Sequence, residues 1–155
     1  MNSANNNPDL WLAHFPVPQP HMHKYSRGCL MLFAGRMTGA GRLAARAAQR
    51  VGAGIVHVVV PADFLPIYAI DLVSCIVRTD PCDVALGEER ASAYLIGPGL
   101  EVGEEARHKV LAVLAKQKPT VLDAGALTSF ADSPQLLLSN LHAQVVLTPH
   151  AGEFE

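Results

Sequence analysis

The chain has 155 residues, half of them hydrophobic, with 12 Lys and Arg against 14 Asp and Glu and a net charge of -2. That length predicts one domain with a real core, and the near balance of charge excludes the basic footprint of a nucleic-acid binder. The apolar runs are too short to span a bilayer, and no basic start followed by an apolar core marks a secretory signal.

Three cysteines (Cys29, Cys75 and Cys82) lack metal-ligand spacing and read as buried, reduced thiols of a cytoplasmic protein. Residues 1–22 form an irregular arm, Asn-rich at first and then carrying Pro16, Pro18 and Pro20. Trp11 and Phe15 are the side chains expected to pin the arm to the domain or to a neighbouring subunit. His21 and His23 lie two apart with no acidic or thiol ligand nearby, which argues against a metal site.

Residues 29–34 and 55–60 are short apolar runs flanked by glycines. With the alanine-rich stretch between them they predict a strand, helix, strand unit of a parallel sheet. The first turn, residues 35–41, holds Gly35, Gly39 and Gly41 and fits neither a G-x-G-x-x-G fingerprint nor a Walker A loop. Its amides and the positive end of the helix suit an anion or a carbonyl oxygen, with Thr38 as the expected helix cap. Tight packing of the helix start on the sheet explains the same glycines equally well. Arg42, Arg46 and Arg50 share one helix face, a stripe expected to be solvated or paired with acids. Gly52 and Gly54 end the helix.

A short helix is predicted from Pro61 to about Ile70, then a third strand at 73–77 and a polar, irregular or briefly helical stretch at 80–92. The fourth strand, 94–96, runs into Gly97-Pro98-Gly99-Leu100. Glu101, Glu104 and Glu105 open the next helix, and Lys116 and Lys118 close it, matching the helix dipole. A fifth strand at 120–122 ends at Asp123, a helix spans 134–141, and a sixth strand at 145–147 leads to Thr148-Pro149-His150-Ala151-Gly152-Glu153. The alternation predicts an α/β fold, a mostly parallel sheet with helices on both faces. Its ligand crevice belongs at the carboxyl ends of the strands.

Six segments carry a family resemblance. They are the stretch from His23 to Gly28, the Thr38-Gly39-Ala40 helix start, the stretch from Arg50 to Gly54, and Ile96-Gly97-Pro98-Gly99-Leu100. The stretch from Val121 to Leu127 and the stretch from Leu147 to Glu153 complete the set. In this order, from about His23 to the last residue, they resemble the bacterial ADP-dependent NAD(P)H-hydrate dehydratases, the carboxyl-terminal domain of the YjeF-type repair proteins.

The resemblance implies a ribokinase-like fold over residues 23–155. It implies an enzyme that uses ADP or ATP, with Mg2+, to phosphorylate the hydroxyl of hydrated NADH or NADPH (NADHX, NADPHX). Loss of phosphate then restores the nicotinamide ring. By position it implies substrate contacts at Ala40, Gly99 and His150, with Asp123 beside them to orient ligand or metal-bound water. A small residue and a glycine leave room for a flat ring, and a histidine can donate or accept a hydrogen bond. For His150 a structural place in a turn, and for Asp123 a capping role, are the competing readings. The resemblance also implies a homo-oligomer and an accompanying epimerase domain or partner. Two positions depart from the family: Ala151, often Pro, and Gly125, in many members Asp.

The family's Gly-Thr-Gly-Asp segment with its catalytic aspartate is not in this sequence, and no residue group here identifies a nucleotide site. The expectation is therefore the amino-terminal half of the enzyme domain, truncated and inactive alone, with an open sheet edge available for dimerisation. A ribokinase-like kinase of a sugar, hydroxymethylpyrimidine or thiazole is the alternative enzyme. A non-catalytic dinucleotide-binding module is the alternative of a different class.

Overall fold

A computed structural model describes residue 5 and residues 7–154. The chain runs β1 (Cys29–Phe33), α1 (Thr38–Arg50), β2 (Ile55–Val59), α2 (Leu65–Asp71), β3 (Ile76–Arg78), α3 (Cys82–Leu86) and β4 (Ala93–Ile96). It continues α4 (Glu104–Leu114), β5 (Thr120–Leu122), α5 (Gly125–Thr128), α6 (Pro134–Leu138), β6 (Val145–Leu147) and α7 (Ala151–Phe154). The six strands form one sheet in the order β3-β2-β1-β4-β5-β6. Every pairing is parallel.

Side-chain alternation along each strand builds two cores. Leu32, Val56 and Val58 face Ala45 of α1 and Tyr68 of α2. Met31, Phe33, Tyr94, Ile96 and Leu122 face the other way, against α3, α4, α5 and α6 through Leu86, Val110, Ala126 and Leu137. Both faces of the central strands are thus covered, which is why β1 and β2 are continuous apolar runs rather than alternating ones. Ala45 is fully buried, so α1 lies close to the sheet. The strand order places β2 and β4 on opposite sides of β1, and the chain reverses its direction of winding between β1 and β4. In open α/β sheets such a reversal opens a crevice at the carboxyl ends of the two strands.

Three local expectations are corrected. The third strand is Ile76–Arg78 rather than 73–77, because Leu72 closes α2 and its carbonyl accepts the Cys75 amide at 3.0 Å, leaving Val73 87% exposed. The helix at 134 stops at Leu138, where the Asn140 side chain donates back to the Leu136 carbonyl at 2.8 Å. Thr38 does not cap α1. It is the first helical residue, preceded by Met37, and no side chain caps that end.

The arm holds two short 3-10 turns, Pro8–Leu10 and Leu12–His14, with no buried residue in either. Trp11 and Phe15 stack on each other at 5.9 Å between ring centroids and each stays 43% exposed, so neither is sunk into the body. The Arg27 and Gly28 carbonyls accept the Gly54 amide at 3.3 and 3.0 Å, which seats this segment at the amino ends of β1 and β2. It lies at the far end of the sheet from the crevice. Of the arginine stripe, Arg46 and Arg42 reach Asp71 at 2.5 and 3.7 Å and tie α1 to α2. Cys29 is buried, Cys75 and Cys82 are half-buried, and all three are free thiols.

Near the amino edge, Glu88 accepts the Arg90 guanidinium on both oxygens at 2.8 and 2.9 Å. That bonding lowers its carboxyl to about 2. A carboxylate depressed in the folded state contributes stability that is complete above its ordinary value and is lost as pH falls through about 2. Glu88→Gln is therefore expected to lower stability at neutral pH and to flatten its acid dependence. Urea melts at a series of acid pH values check this, and parallel curves for the two proteins would contradict it.

Candidate functional site at the strand carboxyl ends

The crevice is built from the turns that follow β1, β4, β5 and β6, and backbone meets backbone between them. Gly35, just beyond β1, has no room for a Cβ, which would overlap the Gly99 carbonyl. The Met37 amide donates to that same carbonyl at 3.3 Å. Gly97 has φ +125°, and a Cβ there would overlap the Asp123 carbonyl; at Gly125 it would overlap the Leu100 carbonyl. Of the two readings of the first turn, tight packing accounts for Gly35 and Gly41, the latter pressed on Tyr68 and Ala34. It does not account for Gly39, where a Cβ would meet nothing within 4 Å.

Four residues expected at a ligand lie along this rim in strand order. Ala40, half-buried, is in the first turn of α1. Its amide donates to the Met37 carbonyl at 3.2 Å, so the open donor of this turn is the neighbouring Gly39 amide, which bonds no described residue. Gly99, with φ +76°, lies across from it against Met37. Asp123 ends β5, and one of its carboxylate oxygens accepts the Thr148 hydroxyl at 2.9 Å. His150 is exposed beyond β6 and heads α7. Its Nδ1 accepts the Gly152 amide at 3.0 Å, while the Glu153 carboxylate accepts the His150 amide at 3.1 Å. This is the reciprocal capping of a helix start, and it sets the ring with Nε2 3.4 Å from Glu153 Oε1. Contacts run from the turn before Ala40 to Gly99 through Met37, from Gly97 to Asp123, and from Asp123 to Thr148. No hydrogen bond ties the Ala40 turn directly to His150.

Two supporting residues were not foreseen. Tyr68, fully buried in α2, donates its hydroxyl to the Gly35 carbonyl at 2.8 Å and so holds the first turn from below. Nothing local in the sequence marks it, since the partners are 33 residues apart. Arg36 reaches Glu101 at 3.0 Å across the crevice and lies over the Phe64 ring. Tyr68→Phe would leave the Gly35 carbonyl without its partner and cost about 1–2 kcal/mol. A chemical melt measures it, and an unchanged midpoint would show that the turn stands without the hydroxyl.

On the α4 side, two abutting cavities of about 860 and 370 Å³ form a trough along the ends of β1, β2 and β3. They share Ala34, Pro61, Leu100, Glu105 and Lys109. None of Ala40, Gly99, Asp123 or His150 lines either cavity. Among the described residues no three His, Cys, Asp or Glu side chains gather to hold a metal ion, and no helix is long and apolar enough to cross a membrane.

A family model described as NAD(P)H-hydrate dehydratase matches residues 30–155. The bifunctional NAD(P)H-hydrate repair enzyme Nnr of Mycobacterium tuberculosis is 35% identical over 150 residues, covering 92% of this chain and 29% of that protein. The enzyme of the same name from Coxiella burnetii is 36% identical over 150 residues, with 92% and 30% covered. Among solved structures, the ADP/ATP-dependent NAD(P)H-hydrate dehydratase of Bacillus subtilis, co-crystallised with ATP and Mg2+, superposes with a TM-score of 0.74. It is 32% identical, and the match covers 90% of this chain and 50% of that one. A ribokinase-like superfamily protein of Enterococcus faecalis shares the fold at a TM-score of 0.73 and 24% identity, covering 90% of this chain and 51% of that one. The chain thus spans under a third of the curated relatives it matches and about half of the solved ones.

Proposed function

This chain belongs to the NAD(P)H-hydrate dehydratase family, and from that membership and the rim we propose that it holds NADHX or NADPHX for nucleotide-dependent dehydration back to NADH or NADPH. The observation that carries the reading is the placement of Ala40 and Gly99 on the two sides of the winding reversal, with Asp123 and His150 on the next strand ends. Gly39 and Ala40 leave space and an open amide donor for the nicotinamide end, and His150 offers Nε2. A free oxygen of Asp123 is the rim group suited to a ligand hydroxyl or to water.

ADP or ATP with Mg2+ is proposed as the phosphoryl source, supported by the ATP and Mg2+ in the Bacillus subtilis crystals. Bound there, it would turn the hydrate's hydroxyl into a phosphate leaving group. Mg2+ is commonly held by one or two carboxylates together with substrate phosphates. Asp123 fits a share of such a site, and the described residues supply no complete cage. We also propose that residues 23–155 are the folded unit and residues 1–22 an arm, that the protein works in the cytoplasm as a homo-oligomer, and that an epimerase domain or partner accompanies it. The last point is supported by the bifunctional relatives.

The test is a titration of hydrated NADPH into the 155-residue chain, followed by amide NMR. Shifts concentrated at Gly39, Ala40, Gly99 and His150 are expected, with no turnover on adding ADP or ATP and Mg2+, because the sequence lacks the family's Gly-Thr-Gly-Asp segment. Absence of shifts at those four residues overturns the binding reading, and turnover overturns the expected inactivity.

A further inference from the structure

His57, in the middle of β2, is a buried histidine with no part in the rim. Side chains alternate along a strand, so it shares the face of Val59, the face that packs against Ala85 and Leu86 of α3. It is only 4% exposed. The Arg78 guanidinium lies 3.4 Å from its Nδ1. A guanidinium can only donate, so Nδ1 accepts and the ring's one proton sits on Nε2. That Nε2 is buried and has no partner among the described residues. His142 has the same orphan nitrogen but is only half-buried.

A second proton could enter the ring only at Nδ1, the nitrogen that Arg78 covers. It would break that hydrogen bond and set two cations side by side in a buried place. No acid nearby is free to offset them. The charged groups whose fields reach His57 are Arg78 and Asp80, on β3 and just past it, and Glu88 and Arg90, past α3. Asp80 already accepts the Arg78 guanidinium, and Glu88 that of Arg90. From β1 the same face brings Cys29 and Met31, both buried, with the Cys29 thiol pushed up by burial and so uncharged. Burial first, and then Arg78, accordingly hold the His57 ring below its ordinary value of 6.5.

The elements over His57 are the ones least tied down. β3 is an edge strand of three residues paired with β2 alone, and α3 has five residues. β1 is paired on both sides. From this geometry we propose that His57 is an acid switch: protonation of Nδ1 releases residues 76–91, β3 with α3 and the chain after it, while the other strands stay paired. Cys82, Asp83 and Leu86 line the larger cavity, so release opens that cavity on one side. A ring kept neutral in the closed form takes its proton at about the ordinary 6.5 once the segment is open. Closure is therefore complete above 6.5 and weakens as pH falls below it, until the depressed value of the closed form is reached. Asp80 and Glu88, both depressed by their arginines, stay ionised through this window.

Amide hydrogen exchange of the 155-residue chain, followed by NMR at a series of pH values on both sides of 6.5, tests this once rates are corrected for intrinsic exchange. The Ala85 and Gly87 amides, bonded to the Pro81 and Val84 carbonyls, report on the segment. The Tyr94 and Asp123 amides, bonded to the Pro119 and Ile96 carbonyls, report on the rest of the sheet. Expected is a rise in the opening constant at Ala85 and Gly87 that approaches about tenfold per pH unit below the ordinary histidine value, the mark of one proton, with Tyr94 and Asp123 unchanged. His57→Gln, neutral and of similar size, should make the opening constant independent of pH, and His142→Gln should leave the response as it is. The ring signals of His57 in the unmodified chain give a second reading that needs no variant, and in the closed form they should not titrate at 6.5. A ring that titrates there, or an opening constant with the same pH response in His57→Gln, overturns the switch. An equal rise at Tyr94 and Asp123 also overturns it, because the acid response would then be unfolding of the whole sheet.

Discussion

Gly97→Ala is expected to destabilise the chain by about 4 kcal/mol or more, in the range reserved for single changes that break a packed feature. Two costs combine. The backbone at φ +125° is a conformation that side chains other than glycine rarely adopt, and the new methyl would occupy the space of the Asp123 carbonyl oxygen. That oxygen is backbone, so it cannot swing aside as a long side chain would; β5 or the Gly-Pro-Gly turn must move. Gly103 separates the two costs. It also has a positive φ, +147°, but its Cβ would meet nothing within 4 Å. Gly103→Ala should therefore cost only about 1–2 kcal/mol of backbone strain. For a chain of this size each kcal/mol is worth about 2–4 °C in Tm, so the two variants should differ by several degrees. If Gly97→Ala loses no more than Gly103→Ala, the turns are free to part and the rim is less rigid than the contacts indicate.

This interlock changes what the glycines mean for function. Gly35, Gly97 and Gly125 leave out side chains where the backbones of Gly99, Asp123 and Leu100 press in, so they build the rim without facing a ligand. The turns after β1, β4 and β5 are held as one piece, with Tyr68 bonded to the first from beneath. A ligand across the crevice would thus meet a surface already in place, which lowers the ordering cost of binding. Gly39 and Ala40, in the first turn of α1, take no part in that interlock and stay open for such a ligand.

Much of the fold was legible. Strands five and six fall at 120–122 and 145–147 as read, because each is a short apolar run stopped sharply by Asp123 or by Thr148-Pro149. The third strand was misplaced because Val73 is apolar yet exposed. The turn that follows α2 is closed by the Cys75 amide on the Leu72 carbonyl, and the helix end before it is tied to α1 by Asp71 with Arg42 and Arg46, contacts of 25 and more residues' separation. In the site, the position of each rim residue at a strand end could be read from the chain. The division of labour among the glycines could not, since Gly35 meets Gly99 and Gly97 meets Asp123 only once the strand order is known. The trough was invisible for the same reason: its walls come from β1, β2, α3 and α4, and no motif spans them.

Ala40→Leu should weaken binding of hydrated NADPH by about 10- to 100-fold, the equivalent of the roughly 1–3 kcal/mol that overpacking a fitted site costs. Ala40 is half-buried in the first turn of α1, where leucine is an acceptable helix residue, so stability should change little. Gly39→Ala makes the sharper comparison. The added methyl points into open space and replaces a glycine inside a helix, so the free protein should be as stable as before or up to about 1 kcal/mol more so. A ligand that approaches the Gly39 amide would meet that methyl, and its affinity should fall about tenfold. Stability and affinity then move in opposite directions, which no purely structural role for this turn can produce. Isothermal titration with hydrated NADPH beside urea melts of the same samples gives both numbers. Unchanged affinity in both variants would mean that the first turn of α1 only packs against the sheet, and that the nicotinamide end lies elsewhere along the strand ends.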